Sequence, residues 1–189
     1  MPKSYTTMWP QDVCKRLRRG GYEGRVLEVL FGGPHHGMPR FGKAVKPGDV
    51  VYPVSLIRGN LHVIGRVEVV RVAEYDDYPA GSRTPGLDDE EFATIQRWPE
   101  LVFNCVSEAL IGRNGTPINL GSTLPADALT RMTYLYRRGG ERPLRHVVDG
   151  RLTHYEGIRG VYELTPASAD DLRRAVESPQ PTPAGAGTP

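Results

Sequence analysis

A chain of 189 residues in which 39% are hydrophobic is long enough to bury a core and usually forms one domain. Its formal net charge of +2 is too small to favour or exclude a nucleic-acid partner. No apolar run approaches the ~18 residues of a membrane span, and the first residues lack the apolar core of a secretory signal. We therefore expect a cytoplasmic protein without a membrane partner, in which Cys14 and Cys105 stay reduced.

The basic residues are almost all arginine, because only four of the 24 are lysine. Arginine stacks on bases and binds phosphate with two donors, which favours a nucleic-acid partner. A genome with GC-biased codons would produce the same preference, so the composition leaves both explanations open.

The first half of the chain predicts four strands and one helix. The predicted elements are a strand over 4–7, a helix over 10–19 that Gly20-Gly21 ends, a strand over 24–31, and two strands within 45–75 that meet at Arg58-Gly59-Asn60. Gly65 interrupts the second of these strands and predicts a bulge or a sharp bend there.

The second half predicts further strands between three helices. The predicted elements are a helix over 88–98, a strand that turns at Asn114-Gly115, a helix from Ser122 or Thr123 to Gly139, strands around a turn at Asp149-Gly150, and a helix with a Ser168–Asp171 capping box. Residues 178–189 are rich in Pro, Gly and Ala and are expected to be disordered.

Strands and helices do not alternate strictly, so a doubly wound parallel sheet is not expected. The six or seven short strands favour an α+β domain over 1–177, a small and mostly antiparallel β-barrel flanked by three or four helices.

The turn Lys46-Pro47-Gly48-Asp49 opens a strand, and the next strand carries the step Ile64-Gly65-Arg66-Val67. With the order of elements over 4–75, these features resemble the PUA-like superfamily, which includes the EVE and ASCH domains. The resemblance implies a PUA-like pseudobarrel that binds RNA or a modified base.

ASCH domains carry Gly-x-Lys-x-x-Glu-x-Arg between the first helix and the second strand. Arg25 and Glu28 occupy the positions of its Lys and Glu, whereas Glu23 and Leu30 occupy those of its Gly and Arg. The resemblance therefore carries only half of the motif that an ASCH-type ribonuclease activity implies. Pairing of Arg25 with Glu28 on a solvated face is the alternative.

EVE-type domains hold a modified base in an aromatic pocket, where rings or guanidinium groups stack on it and polar groups read its edge. The aromatic candidates for such a pocket are Trp9, Phe41, Tyr52, Tyr78 and Trp98. Packing in the core is the alternative for Trp9, Tyr52 and Trp98.

The segment 30–43, LFGGPHHGMPRFGK, combines four glycines with His35 and His36. Glycine lets a backbone approach a ligand closely, histidine can stack or hydrogen-bond near neutral pH, and Arg40 and Lys43 add cations. Adjacent histidines on an extended chain point to opposite sides, so we expect no shared metal ion and no cofactor. The segment is interpreted as a lip over a bound base, or as a plain surface loop.

A second candidate is the basic and aromatic segment 131–155. It combines Arg137, Arg138, Arg142, Arg145 and Arg151 with Tyr134, Tyr136, His146 and Tyr155. Stacking rings in a cationic groove are typical of proteins that bind single strands. The alternative is that some of these arginines only complement the end of the predicted helix.

Two functions of different classes follow, with RNA, DNA or a small molecule as partner. The first is a nucleic-acid-binding module with a surface made of Arg25, His35, His36, Arg40, Lys43, Tyr52, Arg137, Arg138, Arg142 and Arg145. The second is a nuclease or small-molecule hydrolase on the same fold, with His36 as acid or base beside Glu28 or Asp49. A protein-interaction domain that uses the edge of the barrel is a third alternative.

Overall fold

Seven β-strands form one mixed sheet in the computed structural model, which describes residues 2–33, 40–75, 86–101, 106–136 and 139–177. The strands are β1 (Ser4–Met8), β2 (Val29–Gly32), β3 (Val50–Ile57), β4 (Asn60–Val63), β5 (Val67–Glu74), β6 (Glu108–Arg113), β7 (Thr133–Leu135), β8 (Glu141–Pro143), β9 (Val147–Val148), β10 (Arg151–Leu152) and β11 (Tyr162–Glu163). The helices are α1 (Gln11–Arg19), α2 (Asp89–Gln96), α3 (Ala126–Arg131) and α4 (Pro166–Glu177), with 3₁₀ helices at Pro99–Leu101 and Tyr155–Ile158. Within these ranges, no helix combines the length and hydrophobicity needed to cross a bilayer.

The large sheet has the order β11-β1-β3-β5-β6-β2, and β4 also pairs with β3. The strands β1 and β3 are parallel, whereas the other neighbours in this sheet are antiparallel. The predicted α+β class with a mostly antiparallel sheet and four helices is therefore confirmed. No ladder among the described residues joins the outer strands β2 and β11, so the closed barrel is not confirmed.

The predicted turn at Lys46–Asp49 fixes the start of β3 between β1 and β5. The buried carboxylate of Asp49 accepts hydrogen bonds from the backbone N–H groups of Lys3 and Lys46, both at 2.8 Å. Gly48 has a φ of +87°, which glycine adopts without steric cost, and its N–H donates to the carbonyl of Val69. The carboxylate thus joins the start of β1 to the turn, and the backbone of the turn joins both to β5.

Two clusters of buried side chains hold the helices to the sheet. The first contains Trp9, Leu17 and Trp98, and the second contains Tyr52 and Leu172. Each of these large side chains is almost fully buried, which stabilises the fold by roughly 1.5–3 kcal/mol per side chain before losses in entropy. Trp9, Tyr52 and Trp98 therefore lie in the core, as the packing alternative for these three residues predicts.

The helix predicted up to Gly139 is wrong beyond Arg131. The backbone of Met132 is extended, with a ψ of 127°, and Thr133–Leu135 forms β7 against β8. Ser168 Oγ accepts a hydrogen bond from Thr133 N at 2.9 Å. Because Thr and Tyr favour strands and find partners far along the chain, tertiary pairing overrides the local helical pattern.

The capping box predicted at Ser168–Asp171 is also wrong, because α4 begins at Pro166. Thr165 Oγ1 accepts from Ser168 N at 3.4 Å, and the Ser168 side chain is buried inside the helix packing. Asp171 instead accepts from Arg131 Nε and Nη2, at 3.0 and 2.9 Å, and pairs with Arg174. Burial raises the pKa of Asp171, but the two guanidinium groups lower it more.

Most of the glycine and turn signals are confirmed, but Asn114-Gly115 forms no type I′ turn, because Gly115 lacks the positive φ that this turn requires. The sheet breaks between β4 and β5 around Gly65, as predicted, although the register shift of a bulge falls at Val70. Asp149 and Gly150 both have positive φ, at 48° and 70°, and connect β9 to β10 as a type I′ turn requires. The strand predicted over 24–31 is shorter in the structure, where Val26 makes an isolated bridge with Pro117 before β2 begins.

His62 gives the stability of this fold a dependence on pH. Its half-buried ring lies with Nδ1 at 3.0 Å from the carbonyl of Leu120, and burial lowers its pKa below 6.5. Between this lowered pKa and pH 6.5 the unfolded chain therefore binds a proton that the folded chain does not. Stability from His62 is present above pH 6.5 and is lost as the pH falls below it, by at most about 1.4 kcal/mol per pH unit.

We expect the free energy of unfolding, measured in urea at pH 7.5 and pH 5.5, to fall at the lower pH. In His62→Gln the difference between the two values should be smaller, because the side chain cannot titrate. An equal difference in the two proteins would contradict the assignment to His62.

Candidate functional site

Of the residues predicted to bind nucleic acid, those that the structure describes have separate surroundings instead of forming one cluster. His35, His36, Arg137 and Arg138 lie outside the described residues. Arg40 and Lys43 are exposed beside Phe41, whose N–H donates to Glu108 Oε2 at 2.6 Å. Arg142 and Arg145 lie together in the lining of a separate cavity.

The residues of the half-matched ASCH motif contact one tryptophan. The guanidinium of Arg25 lies over the rings of Trp98 and Tyr22, at 4.6 and 5.1 Å from their centroids. Glu28 accepts from Arg97 Nη2 at 3.1 Å and from Trp98 Nε1 at 3.4 Å. Both side chains therefore have structural partners around Trp98, and the expected pairing of Arg25 with Glu28 is replaced by these contacts.

Two other residues that were predicted for the site, Asp49 and Tyr52, have contacts that serve the fold. Asp49 is occupied by the two backbone N–H groups of the turn before β3. Tyr52 is 3% exposed, and burial raises the pKa of its hydroxyl. A base needs a free ring face for stacking, which a side chain this buried does not offer.

One concavity lies where β1 passes into α1. It has a volume of about 530 Å³ and is called the Trp9 cavity. Its lining comprises Met8 at the end of β1, Trp9 and Pro10 between β1 and α1, Gln11 at the start of α1, Ser55 and Leu56 of β3, Tyr155 of the second 3₁₀ helix and Arg159 directly after it.

Local chemistry positions the inner wall of the Trp9 cavity. Trp9 N donates to the Val54 carbonyl at 2.8 Å, which continues the pairing of β1 with β3. Gln11 Nε2 donates to the Leu56 carbonyl at 2.7 Å and ties the first turn of α1 to the same strand. No side chain caps α1, and the buried Nε1–H of Trp9 finds no acceptor among the described residues.

Tyr155 and Arg159 form the outer wall. The Tyr155 ring is 46% exposed and stacks on His154, with centroids 4.8 Å apart and planes 20° apart. Arg159 is exposed at the end of the same 3₁₀ helix. This wall therefore offers an aromatic ring and a guanidinium to a ligand that enters from solvent.

A second cavity of about 200 Å³ lies on the other side of the 3₁₀ helix and is called the Arg142 cavity. It is lined by Tyr134, Arg142, Pro143, Arg145, His146, Glu156, Gly157 and Tyr162. The guanidinium of Arg142 lies 4.7 Å from the ring centroid of Tyr162 and 5.5–5.6 Å from those of Tyr136 and Tyr134. Tyr134 is fully buried, which raises the pKa of its hydroxyl far above the usual range.

Gly157 lets the two walls of the Arg142 cavity approach each other. A Cβ atom at this position would lie 3.0 Å from the carbonyl oxygen of Arg145 and 2.9 Å from Leu144 Cδ1. The 3₁₀ helix therefore packs directly against the 144–145 segment and forms a wall of both cavities.

The described residues contain no group of three metal-ligating side chains, and the thiol of Cys14 is buried in the core. Burial raises the pKa of this thiol, which keeps it protonated and unreactive near neutral pH. Cys105 lies outside the described residues. The arrangement provides stacking and cationic groups, but these ranges offer no metal centre or activated thiol.

Gln11, Arg159 and Tyr162 were missed by the sequence analysis. Arg159 and Tyr162 lie close to the basic and aromatic segment, but no spacing connects them with Gln11 about 150 residues away. Trp9 was a candidate for an aromatic base pocket, whereas Tyr155 was a candidate within the basic and aromatic segment. The pairing of β1 with β11 and β3 brings these parts together.

Comparison of the chain with protein-family models, with curated proteins and with solved structures found no match.

Proposed function

We propose that this chain is a PUA-like domain that binds single-stranded nucleic acid and holds one unstacked base in the Trp9 cavity. The proposal rests on that cavity, because its volume of about 530 Å³ lies within the usual range of about 300–1,000 Å³ for ligand sites. The PUA-like pseudobarrel is part of the proposal, supported by the Lys46–Asp49 turn and the order of elements over 4–75.

The lining suits a base because it combines a planar surface with polar edges. Tyr155 and Arg159 can stack on a ring that enters from solvent. The Gln11 amide belongs to the opposite wall, where its oxygen can accept a hydrogen bond from the edge of the base. Arg142 and Arg145 on the far side of the 3₁₀ helix add positive charge along the path of a strand.

The direct test is a fluorescence-anisotropy titration with single-stranded RNA, single-stranded DNA and a duplex that contains methylated cytosine. Each titration is run at two salt concentrations, and the same samples are checked on gels for cleavage. We expect binding to a single strand that weakens as salt rises and leaves the oligonucleotide intact. Cleavage would favour a nuclease instead, and no binding at low salt would refute the proposal.

The contribution of Tyr155 can be isolated with two substitutions. Stacking of one base on one aromatic ring contributes about 1–3 kcal/mol, so Tyr155→Ala should weaken binding roughly 5- to 150-fold. Tyr155→Phe keeps the ring and should bind like the unchanged protein. Equal affinities for Tyr155→Ala and Tyr155→Phe, in titrations of the same oligonucleotide, would exclude stacking on this ring.

A further inference from the structure

The Arg142 cavity holds more positive charge than its own residues neutralise. Arg142 and Arg145 carry two permanent positive charges, whereas the opposing carboxylate is that of Glu156. Glu156 lies 3.8 Å from His146 Nε2, and its side chain is 66% exposed. Among the described residues, neither Arg142 nor Arg145 forms an ion pair with a carboxylate.

Arg142 is held in place without use of its hydrogen-bond donors. Three tyrosine rings lie around its guanidinium at 4.7–5.6 Å, and no described residue accepts a hydrogen bond from it. Cation–π contacts fix the plane of the group while its N–H donors stay available. An arginine that is oriented and half-buried in this way is prepared for a planar contact with an oxyanion.

The cavity also includes a residue with an unusual backbone conformation. His146 has a φ of +64°, which is rare for a residue with a side chain, and its carbonyl accepts from Thr153 N at 2.8 Å and from Thr153 Oγ1 at 2.9 Å. The strained conformation is thus held by a fixed pair of hydrogen bonds. Strain of this kind concentrates at sites where a side chain must take one position.

We propose that the Arg142 cavity binds a phosphate monoester, with Arg142 and Arg145 contacting its oxygens and His146 beside them. A monoester carries a charge of about −1.5 to −2 at pH 7, so each arginine attracts it more strongly than a diester with its single charge. The volume of about 200 Å³ corresponds to several water molecules at about 30 Å³ each, so a phosphate group fits and a nucleobase with its sugar does not fit easily.

This assignment deepens the proposed function, because a monoester beside the Trp9 cavity would be the terminal phosphate of a bound strand or nucleotide. The phosphate site itself does not depend on the proposed function; only the identity of the molecule that carries the phosphate rests on it. The 3₁₀ helix that separates the two cavities provides Tyr155 to one and Glu156 to the other, so adjacent parts of one ligand could reach both.

The test uses small anions on the full chain, so that it does not depend on nucleic-acid binding. Isothermal titration calorimetry at pH 7.5 compares methyl phosphate with dimethyl phosphate. We expect saturable binding of methyl phosphate at least tenfold tighter than that of dimethyl phosphate. Equal affinities, or no saturable binding of methyl phosphate, would overturn the proposal.

Substitutions of opposite sign separate binding from an effect on folding. Arg142→Gln and Arg145→Gln should each lower the affinity for methyl phosphate, by tenfold or more for Arg142→Gln. Glu156→Gln should raise it severalfold, because it removes the competing negative charge. Arg19→Gln, at the end of α1, is the control for net charge and should change nothing. Unchanged affinity in Arg142→Gln and Arg145→Gln would overturn the proposal.

Oligonucleotides then identify the source of the phosphate. The anisotropy titration is repeated with strands that carry a 5′-phosphate, a 3′-phosphate or hydroxyl groups at both ends. Preference for one phosphorylated end, lost in Arg142→Gln, would assign the phosphate to that end of a strand. If methyl phosphate binds but no strand does, the phosphate site stands and the proposed nucleic-acid function fails.

Discussion

Replacing Gly115 with alanine is expected to destabilise the fold by about 3 kcal/mol, at the upper end of the range for an overpacked site. A Cβ atom at this position would lie 1.8 Å from the carbonyl oxygen of Leu27, which is backbone and cannot rotate away. Next to this contact, Leu27 N donates a hydrogen bond to the carbonyl oxygen of Thr116 at 3.0 Å. The two segments would have to separate, and the packing of the fully buried Leu27 would be lost with them.

The measurement is urea unfolding of Gly115→Ala beside the unchanged chain. Asn114→Gly serves as the matched control, since Asn114 has a φ of +50° that glycine adopts freely, and its exposed bond to Glu68 contributes little. The control should lie within about 1 kcal/mol of the unchanged protein. A loss below about 1 kcal/mol in Gly115→Ala would mean that the segments have room to move apart.

Asp49→Ala is expected to lower the free energy of unfolding by about 2–4 kcal/mol. Hydrogen bonds to a charged group contribute about 1.5–3 kcal/mol each, and the two at this carboxylate share one acceptor group, so their contributions do not add fully. The substitution leaves Lys3 N and Lys46 N without their acceptor at the point where β3 enters the sheet.

Two further variants test whether the loss of stability comes from the two carboxylate oxygens of Asp49, each of which accepts one hydrogen bond. Asp49→Asn keeps one acceptor oxygen and should fall between Asp49→Ala and the unchanged chain. Asp88→Ala removes an exposed carboxylate that caps α2 through Glu91 N, at a cost of about 1 kcal/mol. If Asp49→Ala cost no more than Asp88→Ala, the turn would not be the junction that its hydrogen bonds indicate.

Local hydrogen bonding explains which features could be predicted from the sequence. The Lys46–Asp49 turn and the Asp149-Gly150 turn depend on residues next to one another, so their chemistry is visible in a short stretch. The helix predicted beyond Arg131 failed for the opposite reason. Thr133 receives its partners from β8 and from Ser168, and no local pattern contains that information.

The candidate site was predictable only in pieces. The basic and aromatic segment led to Arg142, Arg145 and His146, which the structure does bring together. The Trp9 cavity could not be assembled from the sequence, because Gln11 and Arg159 become neighbours only through the packing of the second 3₁₀ helix on β1. A site made of contributions this far apart has no spacing that a motif could record.

The position of β1 between β3 and β11 has a consequence for synthesis on the ribosome. Residues 4–8 can pair with residues 50–54 early, but the other edge of this strand is covered only when residues 162–163 arrive. Until then the nascent chain presents an unpaired strand edge, the kind of surface that associates with other chains. The Trp9 cavity is completed in the same interval, since Tyr155 and Arg159 emerge just before β11. The Trp9 cavity therefore takes its final form only after nearly all of the described chain has been made.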